Sequence, residues 1–305
     1  MSVMNGAGDA TLELPAQAVA PDDSPALAAL RTPSAARAPG YGLAAEARTG
    51  WRAMQALLRM SLIEQRRYMF NTVVRMVTVY AFFFMLFMGA RVTMGATAGF
   101  GGTLSSLVVG MLVFMMAQRA YQDHSTRLNG EAMQGTLEQL AMSRVGLAQV
   151  LVYNMMVMTV VQLAFNAVFL VMMMATTGQW LHLDVLSIVP LLLLATLSVH
   201  GVGLAMGGLT LLFKRVGATA AIFQYVFLML VAVPVTKFPA FAYLPLSYGS
   251  GLIRRVMVDG ESLYRMPAGD VLFLLANSGA YFVAGLLIFA LCERIARDRG
   301  MLGHY

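Results

Sequence analysis

Side chains able to do chemistry are sparse in this sequence, and most of them stand alone. Among 305 residues there are four histidines and one cysteine. His124, His182, His200 and His304 are scattered, without the paired spacing that holds a metal, so no metal site is expected. Cys292 can form no internal disulfide and reads as a small buried hydrophobe. Ser250, within Tyr-Gly-Ser-Gly, and His200 supply a nucleophile and a base, the minimum for an intramembrane hydrolase. The Gly-x-Ser-x-Gly elbow that would present such a serine is absent. Neither lysine, Lys214 or Lys237, sits in a Gly-x-x-x-x-Gly-Lys-[Ser/Thr] loop, so no phosphate cradle is expected. Thioethers bind soft Cu(I), and methionine is abundant, at 25 residues. No Cys or His lies at ligand spacing from Met115–Met116, Met155–Met156–Met158 or Met172–Met174, and methionine also fills irregular apolar gaps. The chain is therefore expected to be no enzyme and to hold no cofactor of its own.

A second set of polar residues lies within apolar runs. Thr159, Gln162 and Asn166 recur at i, i+3 and i+7, forming one stripe if that run is helical. Gln224, His200 and Asn277 are isolated in other apolar stretches. Polar groups in a membrane interior face protein or a water-filled path. The stripe fits either a substrate path or hydrogen bonding between helices. Small residues in GVGLAMGG (201–208) favour tight helix packing.

These residues are carried by a chain that is 59% hydrophobic and only 12% charged. Soluble domains carry about twice that charge. Apolar runs of membrane-spanning length without strict alternation predict an all-α polytopic membrane protein. We place six spans at about 72–94, 102–121, 147–175, 185–212, 217–236 and 270–292. Residues 1–47, rich in Ala and Pro, are expected to be a disordered cytoplasmic tail, and they lack the charged and apolar regions of a signal peptide. Residues 48–70 are expected to form an interfacial amphipathic helix, with Trp51, Met54, Leu57, Leu58, Leu62 and Met69 on one side and Arg52, Arg59, Arg66 and Arg67 supplying charge. Residues 71–305 form the membrane domain.

The net charge of +6 reads as a topology signal, not as a nucleic-acid surface. With both termini inside, the outer segments carry only Arg91, Lys237, Arg254, Arg255 and Arg265, and the remaining basic residues of the membrane domain fall inside. Both termini are thus expected to be cytoplasmic, with 122–146 a cytoplasmic loop. The stretch TKFPAFAYLPLSYGSGLIRRVMVDG (236–260) is apolar and aromatic but broken by Pro239, Pro245, Gly249 and Gly251. It is expected to dip into the membrane from the outer side and turn back, over about 237–262.

One short polar segment interrupts the apolar pattern. In GEAMQGTLEQL (130–140), Thr136 and Gln139 form a capping box, and Gly135 permits a change of direction. Met133, Leu137 and Leu140 make an apolar stripe, flanked by Glu131 and Glu138. Such a helix, at about 131–143, suits docking into a groove on a cytosolic partner.

The segment GEAMQGTLEQLAMSRVGLAQVLV resembles the E-x-x-x-G-T-L-E-x-L stretch that marks the permease subunits of type-two ABC exporters. Lys214–Arg215 resembles that family's short F-[KR]-R loop. FPAFAYLPLSYGSGLIR is similar to its Pro- and aromatic-rich re-entrant stretch, which includes Pro239, Pro245, Tyr248, Gly249 and Arg254. ARDRGMLGHY is similar to its basic tail. The long N-terminal tail and the methionine content depart from the family pattern. The resemblance covers about residues 48–305 and implies a homodimer of six-span permeases in the bacterial inner membrane, surrounded by lipid. It implies that ATP and Mg are bound by a separate ATP-binding cassette subunit. Glu131, Gly135, Thr136, Leu137, Glu138 and Leu140 would form the coupling helix that touches that subunit. Glu138 would make a charge contact, and Leu137 and Leu140 would be buried in the partner's groove. The cargo would be hydrophobic or amphipathic: a drug-like molecule, a lipid or a lipid-linked glycan. Phe82, Phe83, Phe84 and Phe87 would line its path or face lipid. The competing readings are a scaffold or channel not coupled to ATP, and the Ser250/His200 hydrolase.

Overall fold

The computed structural model describes residues 54–55, 58–60, 63, 66–67, 69–94, 101–136, 147–213, 217–232 and 239–299. Among these residues the fold is entirely helical. Helix α1 runs Met69–Met94, α2 Gly101–Met133, α3 Leu147–Thr177, α4 Val185–Leu212 and α5 Gly217–Ala232. A 3-10 turn at Pro239–Tyr243 precedes α6, Ser247–Met257, and another at Leu263–Arg265 precedes α7, Ala268–Asp298. Helices α1, α2, α3, α4 and α7 are long and apolar enough to cross a membrane. The described part of α5, at 16 residues, is shorter than the roughly 20 residues that a span needs.

Helices α2 and α4 form the centre. Of the apolar stretch in each, 56% of residues are buried, against 12% in α1 and 17% in α7. Apolar faces left outside at this length are what a bilayer solvates. The phenylalanines of α1 divide accordingly. Phe83 and Phe87 are buried, while Phe82 and Phe84 lie on the outer surface.

Glycines set the position of α4. Gly201 lies against the backbone of α7 at Tyr281 and Gly285, so close that a Cβ on Gly201 or Gly285 would collide with the other helix. Gly208 approaches α7 again at Phe289 and Cys292. On the other side, Gly203 and Gly207 form a Gly-x-x-x-Gly notch against Ala120, Tyr121, His124 and Leu128 of α2. Small residues permit this close approach where lipid removes the hydrophobic drive between helices. At one end of the molecule, Leu128, Leu147, Leu151, Leu204, Leu211, Phe289 and Ala296 join α2, α3, α4 and α7 in one apolar cluster.

One expectation changes in detail. The helix of the second span does not stop at 121. Helix α2 continues through 33 residues, about 50 Å at 1.5 Å per residue, well beyond a hydrocarbon core of about 30 Å. The first part of the expected loop at 122–146 is therefore helix. The described residues of the 48–70 stretch are helical, with Leu58 and Met69 exposed; Trp51, Leu57 and Leu62 fall outside the described residues. The expected tail at 1–47 lies outside them as well.

Candidate functional site

The polar segment after the second span begins where α2 ends. Gly135 has φ of +70°, its N–H donates to Ala132 O at 3.1 Å, and Thr136 N–H donates to Glu131 O at 3.0 Å. This is a Schellman closure, with glycine in the left-handed position that side chains resist. Glu131 and Met133 thus belong to the last turn of α2. They are not the start of a separate helix as the 131–143 reading had them, because the positive φ at Gly135 ends the helical path. Leu137, Glu138 and Leu140 lie outside the described residues.

The closure is braced by side chains. Thr136 Oγ1 donates to the Glu131 carboxylate. Glu131 also pairs with Arg127 across one turn, at 3.5 Å. Arg127 donates to Asn154 Oδ1 of α3 at 2.7 Å, and Asn154 is buried. A charge-assisted bond of this kind is among the stronger ones. Glu131 is thus engaged within the chain, and its network Asn154–Arg127–Glu131–Thr136 links α3 to the point where the segment leaves α2.

The polar residues of the apolar runs are only partly brought together. Thr159 and Gln162 of α3 line one recess with Arg119 and Asp123 of α2 and with Thr196 and His200 of α4. The recess is shallow and open to the outside, with room for about one water molecule. Asn166 is buried, and neither of its amide atoms has a hydrogen-bond partner among the described residues. Asn166, Gln224 and Asn277 do not line this recess; Gln224 and Asn277 are half-buried on α5 and α7.

The histidines depart most from expectation. His124 and His200, 76 positions apart, are hydrogen-bonded, with His124 Nε2 3.2 Å from His200 Nδ1. His200 Nε2 lies 3.0 Å from Thr159 Oγ1. Spacing along the chain gave no sign of this, because the pairing is made by the α2–α4 contact. The Gly203/Gly207 notch was the readable trace of a close approach, although it does not name the partner helix.

Ser250 Oγ donates to Ser247 O at 2.8 Å, so its hydroxyl serves its own helix while His200 is engaged by His124 and Thr159. Among the described residues no three His, Cys, Asp or Glu side chains gather as metal ligands. The methionines divide: Met116, Met155 and Met174 are buried, and Met156 and Met172 are exposed.

The Pro- and Gly-broken stretch folds against the bundle. Pro245 is buried, Pro239 exposed. Gly249 meets Ala195 of α4, where a Cβ would come within 2.5 Å of the alanine methyl. Leu246 N–H donates to Ser198 Oγ at 3.1 Å. Arg254 reaches across to the carbonyl of Val231 at the end of α5, at 3.2 Å, and a cation suits a helix C-terminus. Burial lowers the Arg254 pKa, and Asp259 partly offsets this. Arg255 joins Glu261 at 2.8 Å and Asp270 at 3.0 Å. Burial works against its charge, but these bonds outweigh it and raise its pKa. Tyr248 stacks edge-on against Phe273, with ring centres 4.7 Å apart. Burial and then the Asp270 carboxylate raise its pKa, which keeps the phenol neutral. Helix α6 has 11 residues, about 16 Å, too short to cross a bilayer.

No protein-family model matches this chain, and no curated protein matches it.

Proposed function

We propose that the chain is the permease subunit of a type-two ABC exporter, working as a homodimer in the bacterial inner membrane with a separate ATP-binding cassette subunit. Supporting this reading is the way α2 ends within GEAMQGTLEQL. The motif's Glu131, Gly135 and Thr136 form the braced closure of a helix long enough to project beyond a bilayer. In this reading α5, extended by its flanking residues, is the fifth of six spans. The stretch from Pro239 to Met257 is a re-entrant element on the outer face, and both termini are cytoplasmic. ATP and Mg reside on the partner. Movement of that partner at Leu137, Glu138 and Leu140 reaches α2 through the closure and α3 through Arg127 and Asn154. The exposed apolar faces suit a hydrophobic or amphipathic cargo, whose affinity differs between two arrangements of the helices.

The test is purification of the tagged chain from its native membranes in mild detergent, alone and with Leu137→Asp plus Glu138→Arg. The reading predicts a stoichiometric ATP-binding subunit with the wild-type chain, lost with the variant while the helices remain folded. A folded wild-type chain without an ATP-binding subunit would overturn it in favour of a scaffold or channel.

A further inference from the structure

The interior of the bundle holds His124, His200 and Thr159 in series, contributed by α2, α4 and α3. The two imidazole centres are 5.4 Å apart, close to the greatest value that the 3.2 Å nitrogen separation and the two ring radii allow. The facing nitrogens therefore point at one another along a line. Two ligands of one metal would instead aim their lone pairs at a third point. Head-on geometry suits a single hydrogen held between the rings.

The group beyond His200 can accept. Thr159 gives its one hydrogen to Met155 O at 2.8 Å, leaving a lone pair for His200 Nε2–H. A neutral imidazole has one N–H, and an imidazolium has two. In the neutral pair that fits these bonds, His124 Nε2–H donates to His200 Nδ1, and His200 Nε2–H donates to Thr159. His124 Nδ1 is then a bare basic nitrogen, and it has no partner among the described residues. One added proton gives His124 Nδ1–H, one hydrogen shared between the rings, and His200 Nε2–H on Thr159. A second would set N–H against N–H.

The site is shaped by the glycine notch. A Cβ on Gly203 would stand 2.8 Å from His124 Cδ2 and 3.0 Å from Ala120 O. The neighbouring charges are few. Helix α2 itself brings Arg119 and Asp123 to the recess that His200 and Thr159 also line. Arg127, one turn on, is held by Asn154 and Glu131. Helix α3 brings Met158, Thr159 and Gln162, all neutral, to that recess. On the far side of α4, Tyr281 of α7 donates to Tyr243 O. The arginines of α6 are turned to Val231, Glu261 and Asp270.

We infer that His124 and His200, completed by Thr159, form an intramembrane binding site for a single proton, and that the charge on the shared hydrogen strengthens the α2–α4–α3 link that the neutral pair already makes. A polar group of this kind in a span is a site for moving or sensing protons. The inference does not rest on the permease reading.

The test is nitrogen NMR of the full chain, labelled at histidine nitrogens, in lipid nanodiscs from about pH 9 to about pH 5. His124→Gln and His200→Gln provide assignments, and the exposed His182 is an internal control. The two rings should pass together, in one step, from two N–H groups to three, with a coupling across the shared hydrogen. Either glutamine substitution should abolish that shared step. Thr159→Val should move the midpoint down by about one pH unit, and Thr159→Ser should restore it. Two N–H groups persisting while His182 titrates would overturn the inference. So would two independent steps that end at four. The wild-type count alone decides between these results, even if a variant fails to fold.

Discussion

Helices α2 and α3 are tied by two polar links of opposite character. One, His124–His200–Thr159, is buried, uses uncharged partners and passes through α4. The other, Asn154–Arg127–Glu131–Thr136, is charged, lies toward the end of α2 and finishes at the Schellman turn. The interior link depends on helices coming close enough for rings to meet, so glycines govern it. The terminal link depends on matching donors to acceptors around one guanidinium, so side-chain chemistry governs it. Packing fixes where the helices stand, and the terminal network fixes the direction in which the chain leaves them.

Substitutions can break each link separately. The largest effect is expected for Gly203→Leu, which drives a side chain into the His124 ring and the α2 backbone. Overpacking of this kind costs about 1–3 kcal/mol or more, so the thermal unfolding midpoint in detergent should fall sharply. Gly251→Ala is the control. Its added methyl meets nothing within 4 Å, and it should leave the midpoint nearly unchanged.

Next is Asn154→Leu, which strands the Arg127 guanidinium with Glu131 alone. Leaving a buried donor unpaired costs about 1–3 kcal/mol. Adding Arg127→Met should recover part of that loss, and a double-mutant cycle on the unfolding free energies measures the coupling. Additive losses would show that the two residues do not act as one link.

Thr136→Ala should cost about 1 kcal/mol, the net worth of an ordinary hydrogen bond. Its main effect should be on recovery of the ATP-binding subunit, which should fall more than stability does. The smallest effect is expected for Arg255→Met. Its pairs with Glu261 and Asp270 involve side chains that are 26–44% exposed. Exposed pairs contribute about 0–1 kcal/mol, so unfolding should barely shift.

The sequence made some of this legible. Helical membrane class followed from uninterrupted apolar runs, and the turn at Gly135 followed from glycine ahead of Thr136. Thr159 and Gln162 were placed together correctly because i, i+3 spacing fixes a shared helix face. Asn166, on the same stripe, lies outside the recess because a span of that length passes more than one neighbour. The His124–His200 pair was not legible. It depends on which helix fills the Gly203/Gly207 notch, and local spacing holds no information about that choice. Helix α2 runs on past 121, where its polar residues resemble a loop. They continue as helix because none of them breaks it before Gly135.

On the permease proposal, the segment that follows the Schellman turn is the contact with an ATP-driven partner. Cross-linking in native membranes from Glu138→Cys, in a Cys292→Ser background, tests this directly. The expected result is one adduct with an ATP-binding subunit, whose yield changes when ATP is trapped on the partner, and its loss when Leu137→Asp is added. A cysteine at 138 that labels only from the outer side of the membrane, or that captures no ATP-binding protein, would contradict it.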